Sequence, residues 1–138
     1  MDKALKILLI DDDKFLLDMY ALKFSKNNPA DSPCKYTFEV NAAQGTEEAL
    51  KIIRGGFEPD ILLVDVVMPG MDGIEFLGVL RKESLAKKAV VIMLTNQGLA
   101  DDIARAKKLN ADGYIIKATT IPSEVFSEVN RIYTSSKK

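Results

Sequence analysis

The chain has 138 residues, with 19 Lys and Arg against 20 Asp and Glu, a net charge of -1, 47% apolar and 28% charged residues. That balance suits one soluble globular domain with a single core and lacks the basic excess of a nucleic-acid binder. The lone cysteine, Cys34, excludes an internal disulfide and reads as an incidental or partly buried loop thiol. With no His in the chain, the usual general base and commonest metal ligand are missing. Any metal must then be held by oxygen, which points to Mg, Ca or Mn.

Residues Met1 to Lys6 lack the apolar stretch and cleavage site of a signal peptide. No apolar run approaches the roughly 20 residues needed to span a bilayer, so a cytoplasmic protein without membrane contact is expected. The expected domain covers residues 1–138, with its core at about 5–132.

Strand-like and helix-like segments alternate along the chain. Leu5 to Ile10 is a short apolar run that ends in Asp11-Asp12-Asp13. In the helix of Lys14 to Lys26, Phe15, Met19 and Leu22 form a stripe at helical spacing. Phenylalanines and methionines in general read as core. Asn27 to Pro33 is a loop by its Asn, Pro and Ser content, followed by a strand from Tyr36 to Val40. Thr46 reads as the N-cap of a helix with Ala49, Leu50 and Ile53 on its inner face, ended by Gly55-Gly56.

Ile61 to Val64 is a third apolar run, closed by Asp65. Pro69 to Gly73 is a turn before the helix of Ile74, Leu77 and Leu80. Ala89 to Leu94 runs into Thr95, and a helix is expected from about Leu99 to Leu109. Tyr114 to Ile116 runs into Lys117, and the last helix carries Val125, Val129 and Ile132 on one face. Residues 135–138 read as a frayed tail. The pattern is (βα) repeated, and strands one, three and four lack apolar–polar alternation. That is the mark of a parallel sheet covered by helices on both faces, here an α/β open doubly wound sheet.

The polar residues fall where such a sheet builds its sites, at the carboxyl ends of strands near a topological switch point. Asp11 and Asp12 follow strand one, Asp65 ends strand three, Thr95 ends strand four, and Lys117 ends strand five. Three clustered carboxylates repel one another and resist ionising together; a hard divalent cation relieves that repulsion, and magnesium suits a few carboxylates plus water and phosphate oxygens. A lysine and a hydroxyl beside them can neutralise a transferring phosphoryl group, and a carboxylate can accept one as an acyl phosphate. Asp13, by contrast, reads as a helix cap or a first-turn partner of the helix dipole.

The chain resembles the receiver domain of two-component response regulators, including single-domain chemotaxis-type regulators. The resemblance is carried by Ile10-Asp11-Asp12-Asp13, Asp60 to Gly73 with Met68-Pro69-Gly70, Leu94-Thr95, and Gly113 to Lys117. It implies a flavodoxin-like (βα)5 sheet in the order 2-1-3-4-5. It also implies Asp65 as phosphoacceptor, with Mg2+ (or Mn2+) held by Asp12, Asp11, Asp65 and the backbone carbonyl of Val67. Thr95 would bond a phosphoryl oxygen, and Lys117 would pair with Asp65 and then with the phosphoryl group. Tyr114 takes the aromatic switch position that would alter the surface of the fourth helix, fifth strand and fifth helix.

The implied phosphodonor is a phosphohistidine on a sensor histidine kinase or a histidine phosphotransfer protein. The output would pass to a downstream target protein, without direct nucleic-acid binding. With no output domain after the fifth helix, the chain reads as a free-standing regulator or an excised receiver. Three features depart from the family pattern, one of them a loop from Asn27 to Lys35 that is longer than usual. Ala118 stands where proline is usual after the lysine, and a cis peptide there would cost about 3 kcal/mol. Asn96 stands where a smaller residue is common, and Val67 and Gln97 occupy positions that tune hydrolysis. The alternative reading is a pseudo-receiver, an interaction module that is not phosphorylated, which the complete acidic pocket opposes. A magnesium phosphohydrolase needs a second carboxylate where Val67 stands, and a nucleotide binder needs a Gly-rich loop after strand one.

Overall fold

Residues 3–95, 100–117 and 120–136 are described by the structure, a computed structural model of the chain. The expectations for Asn96, Gln97, Leu99, the Lys117–Ala118 peptide and Lys137-Lys138 lie outside these residues.

The apolar runs form strands β1 (Lys3–Ile10), β2 (Tyr36–Ala43), β3 (Ile61–Asp65), β4 (Val90–Thr95) and β5 (Gly113–Ile116). Between and after them lie helices α1 (Lys14–Ser25), α2 (Thr46–Arg54), α3 (Gly73–Lys82), α4 (Ala100–Lys108) and α5 (Pro122–Ser136). The strands pair in parallel in the order β2-β1-β3-β4-β5. Every residue of β3 and β4 is buried, because helices cover both faces. On one face Leu5, Ile7 and Leu9 of β1 join Ile92 of β4 against α1 and α5. On the other, Leu8 and Ile10 join Val64 and Met93 against α2, α3 and α4. The absence of alternation in the sequence thus reflects two cores, one on each side of a single sheet.

In α1 the structure corrects the expected inner stripe. Phe15 is 73% exposed, Met19 36% and Leu22 55%, while Leu17, Tyr20 and Phe24 are buried. At 100° per residue the two stripes lie on nearly opposite sides of the helix, so periodicity alone could not choose between them. The aromatic partners decide. Phe24 meets Phe38 edge-on at 5.1 Å and Phe126 at 4.9 Å, and burying the two rings of Tyr20 and Phe24 outweighs burying the single ring of Phe15 with a Met.

Several boundaries also differ, among them these three. β2 continues to Ala43, because it pairs with β1 along its whole length. Gly45, at φ 126°, is the N-cap of α2 and makes no side-chain cap bond, so Thr46 is the first helical residue rather than the cap. α5 includes Ser135 and Ser136, which the sequence assigned to a tail. The loop before β2 holds a short 3-10 turn, Pro29–Asp31, capped by Asn28. It is tied down by Asn27, whose side-chain amide donates to the carbonyls of Cys34 and Tyr36.

Candidate functional site

The chain leaves β1, runs to β2 at the sheet edge, and returns to β3 on the other side of β1, so the switch point lies between β1 and β3. The register brings the polar strand ends together there. Ile10 lies opposite Val64, which sets Asp11 beside Asp65. Asp65 lies opposite Leu94, and Thr95 opposite Ile116, just before Lys117.

Asp11 and Asp65 are each 2% exposed, and Thr95 is 4% exposed. Asp12 is exposed. One carboxylate oxygen from each of Asp11, Asp12 and Asp65 lies within 4.8 Å of the others. The Lys117 ammonium sits 2.9 Å from Asp11 Oδ2 and 3.3 Å from Asp65 Oδ2. Sequence reasoning paired this lysine with Asp65; the structure gives it both carboxylates, Asp11 the closer. Asp11 Oδ1 accepts from the Asp13 amide at 2.9 Å, while Asp13 caps α1 by accepting from Phe15 and Leu16.

One lysine cannot satisfy two buried carboxylates. Burial, and next the charge of Asp11, push the Asp65 carboxyl up to about 7, although Lys117 pulls the other way. Burial alone would lower the Lys117 pKa, but hydrogen bonding and charge from Asp11 and Asp65 outweigh it and leave it raised. Asp65 Oδ1 is buried and has no hydrogen-bond partner among the described residues. A lone pair held dry beside two further carboxylates, one reachable from solvent, is a fit for a hard divalent cation.

The segment after β3 includes Val67, expected from the sequence to offer a backbone carbonyl. Val67 is 60% exposed, and its carbonyl accepts no hydrogen bond among the described residues. Gly73 closes the segment by donating to Val66 O at 2.9 Å. A Cβ on Gly73 would lie 2.2 Å from the Asp65 carbonyl oxygen, so only glycine permits this approach. Asp72 and Glu75 form a capping box at the start of α3, and Arg105 of α4 reaches Asp72 at 3.7 Å.

Behind Thr95 a gap of about 10 Å³ is lined by Tyr114 and by Asp102, Ile103 and Ala106 of α4. The Tyr114 hydroxyl is buried without a partner among the described residues, and burial raises its pKa, with a smaller push from Asp112. The structure therefore brings Asp11, Asp12, Asp65, Thr95 and Lys117 to one strand-end pocket and sets Tyr114 one layer behind it. Sequence reasoning missed two residues that tie the pocket's surroundings. One is Arg105, which shows no sequence signal. The other is Thr46, whose hydroxyl donates to Met71 O at 3.0 Å.

Among the described residues no helix is long and apolar enough to cross a membrane. The sequence model described as "Response regulator receiver domain" matches residues 7–128. The chain is 29% identical to the chemotaxis protein CheY of Halobacterium salinarum over 133 residues, 96% of this chain and 99% of that protein. It is 27% identical to the phosphate regulon transcriptional regulatory protein PhoB of Escherichia coli over 129 residues, 94% of this chain but 52% of PhoB. It thus spans about half the length of the PhoB relatives it matches. Among solved structures, the Francisella response regulator 1452 receiver domain is 28% identical with a TM-score of 0.76, covering 96% of this chain and 99% of that one. The Vibrio cholerae chemotaxis protein CheY4 is 26% identical with a TM-score of 0.75, covering 94% and 98%. With the family model matching most of its length and the acidic pocket at the switch point, this chain belongs to the response regulator receiver domains of two-component signalling.

Proposed function

We propose that this receiver takes a phosphoryl group on Asp65 from a phosphohistidine of a sensor histidine kinase or histidine phosphotransfer protein, in a reaction that depends on Mg2+, with Mn2+ as a substitute. The observation that carries the reading is the buried Oδ1 of Asp65, without a partner among the described residues, inside a cluster of three carboxylates with the Lys117 ammonium alongside. An Asp65 oxygen attacks phosphorus, the phosphorus–nitrogen bond of the donor breaks, and its electron pair returns to the imidazole. Asp11, Asp12, Asp65 and the Val67 carbonyl would hold the cation, which when bound supplies charge neutralisation for the phosphoryl oxygens. Lys117 exchanges a carboxylate for a phosphoryl oxygen, and the Thr95 hydroxyl donates to another.

The phosphoryl group of the product carries roughly -1.5 to -2 charge at pH 7 at the strand ends. That charge draws Thr95 and Lys117 inward and opens room for the Tyr114 ring, which would change the surface of α4, β5 and α5 that a target protein reads. The exposed stripe of Phe15, Met19 and Leu22 runs along the helix that starts beside the pocket, and a protein donor reaching Asp65 would cover it. The site is a signalling acceptor that acts only on its own phosphorylation state.

Incubation with a small phosphoramidate and magnesium, followed by hydroxylamine at neutral pH, tests the reading. A label that forms and is then released by hydroxylamine is an acyl phosphate and supports it. No label, or one that resists hydroxylamine as a phosphoserine ester would, overturns it.

A further inference from the structure

The segment joining β3 to α3 follows directly on Asp65 and includes Val67, yet few hydrogen bonds among the described residues hold it. Its ends are fixed: the Val66 amide donates to Leu94 O at 2.9 Å, and the Gly73 amide to Val66 O at 2.9 Å. From Val67 to Met71, the only hydrogen bond among the described residues is the one Thr46 Oγ1 donates to Met71 O at 3.0 Å. Thr46 is 5% exposed, one of few buried polar residues outside the acidic pocket. It is the first residue of α2, on an element that supplies no side chain to the acidic cluster. Its hydroxyl is not used as a cap, since α2 has no side-chain cap bond. A buried threonine that neglects its own helix to hold one carbonyl of a neighbouring loop acts on that loop. Gly70 sits at φ 76° directly before Met71, so the turn has its own bend and needs Thr46 to fix where that bend lies.

We infer that Thr46 is a positioning residue. By holding the Met71 carbonyl it fixes the β3–α3 segment, and with it the Val67 carbonyl, at the distance from Asp11, Asp12 and Asp65 that cation binding needs. The inference rests on the magnesium reading of the pocket and extends it to a residue that touches no ligand. Residues that orient a metal ligand from outside change affinity without changing the donor set. Without the hydroxyl, the partly buried Met71 carbonyl is left unpaired among the described residues, and the segment relaxes to find another donor.

The test is magnesium binding without any phosphodonor, by calorimetry, on the full chain. Thr46→Val keeps the shape and removes the donor, Thr46→Ser restores it, and Asp12→Asn is the binding control. Ile53→Val, which trims a buried residue elsewhere on α2, controls for lost stability. Thr46→Val is expected to bind magnesium about tenfold more weakly and to exchange the Gly70 and Met71 amides faster. Thr46→Ser and Ile53→Val should stay within about twofold of the parent, well short of a ligand-orienting effect. Thr46→Val binding as the parent does, while Asp12→Asn has lost binding, overturns the inference and leaves the pocket reading intact. An equal loss in Ile53→Val overturns it too, since the effect would then be stability alone. A parent chain that takes up no magnesium overturns both readings. If Thr46→Val does not fold, Thr46→Ala carries the same outcomes.

Discussion

Asp65→Asn removes the charge that the fold holds at greatest cost. The folded Asp65 keeps its proton up to about 7, against 3.8 for the free side chain, so between those values folding takes up a proton. Its stabilising contribution is complete below about pH 4 and is lost as pH rises through the folded value. A shift of that size corresponds to about 4 kcal/mol, a ceiling because the charges of Asp11 and Lys117 act on the same carboxyl. Asparagine cannot ionise, so the variant escapes the loss and forgoes only the 3.3 Å contact with Lys117, which keeps Asp11. Urea unfolding of both proteins without divalent ions, at pH 5 and pH 8, tests the effect, because the two chains differ only at residue 65. The advantage of Asp65→Asn should grow from pH 5 to pH 8 and reach about 1–3 kcal/mol. A difference that does not change with pH, or an asparagine variant less stable at pH 8, would refute the reasoning.

Gly73→Ala should cost about 2–3 kcal/mol in thermal or urea unfolding, since its Cβ meets the Asp65 backbone at 2.2 Å; a neutral result would mean that the segment yields freely. Tyr114→Phe deletes a buried hydroxyl with no partner among the described residues, so unfolding should show a change within about 0.5 kcal/mol or a slight gain. A loss above that would mean the hydroxyl is bonded in solution. Replacing Phe15 and Met19 by serine should leave phosphorylation by a small phosphoramidate unchanged but slow transfer from a phosphorylated kinase by about tenfold or more, as loss of an interface anchor does. Equal rates with both donors would free the α1 stripe of any docking role.

The sheet and the pocket were legible because their signals are simple. Strands buried on both faces, such as Ile61 to Val64, cannot be anything but continuous apolar runs. In a parallel sheet every strand points its end at the same edge, so Asp11, Asp65, Thr95 and Lys117 met without any knowledge of their contacts. What failed was phase and partnership. In α1 two apolar stripes compete, and the choice came from Phe38 and Phe126, residues distant in sequence. Thr46 carries a cap residue's chemistry, but Gly45 at φ 126° took the cap position and freed the hydroxyl for Met71. The capping box of Asp72 and Glu75 was there to be read in Asp72-Gly73-Ile74-Glu75. The Arg105 contact with Asp72 was not, since ion pairs between elements leave no local pattern.

Intact mass after incubation with a small phosphodonor, with and without magnesium, for the parent chain and for Asp65→Asn, tests the central claim most directly. The account predicts a gain of one phosphoryl group in the parent with magnesium, none without it, and none in Asp65→Asn. A gain that survives the asparagine substitution, or that ignores magnesium, would contradict it.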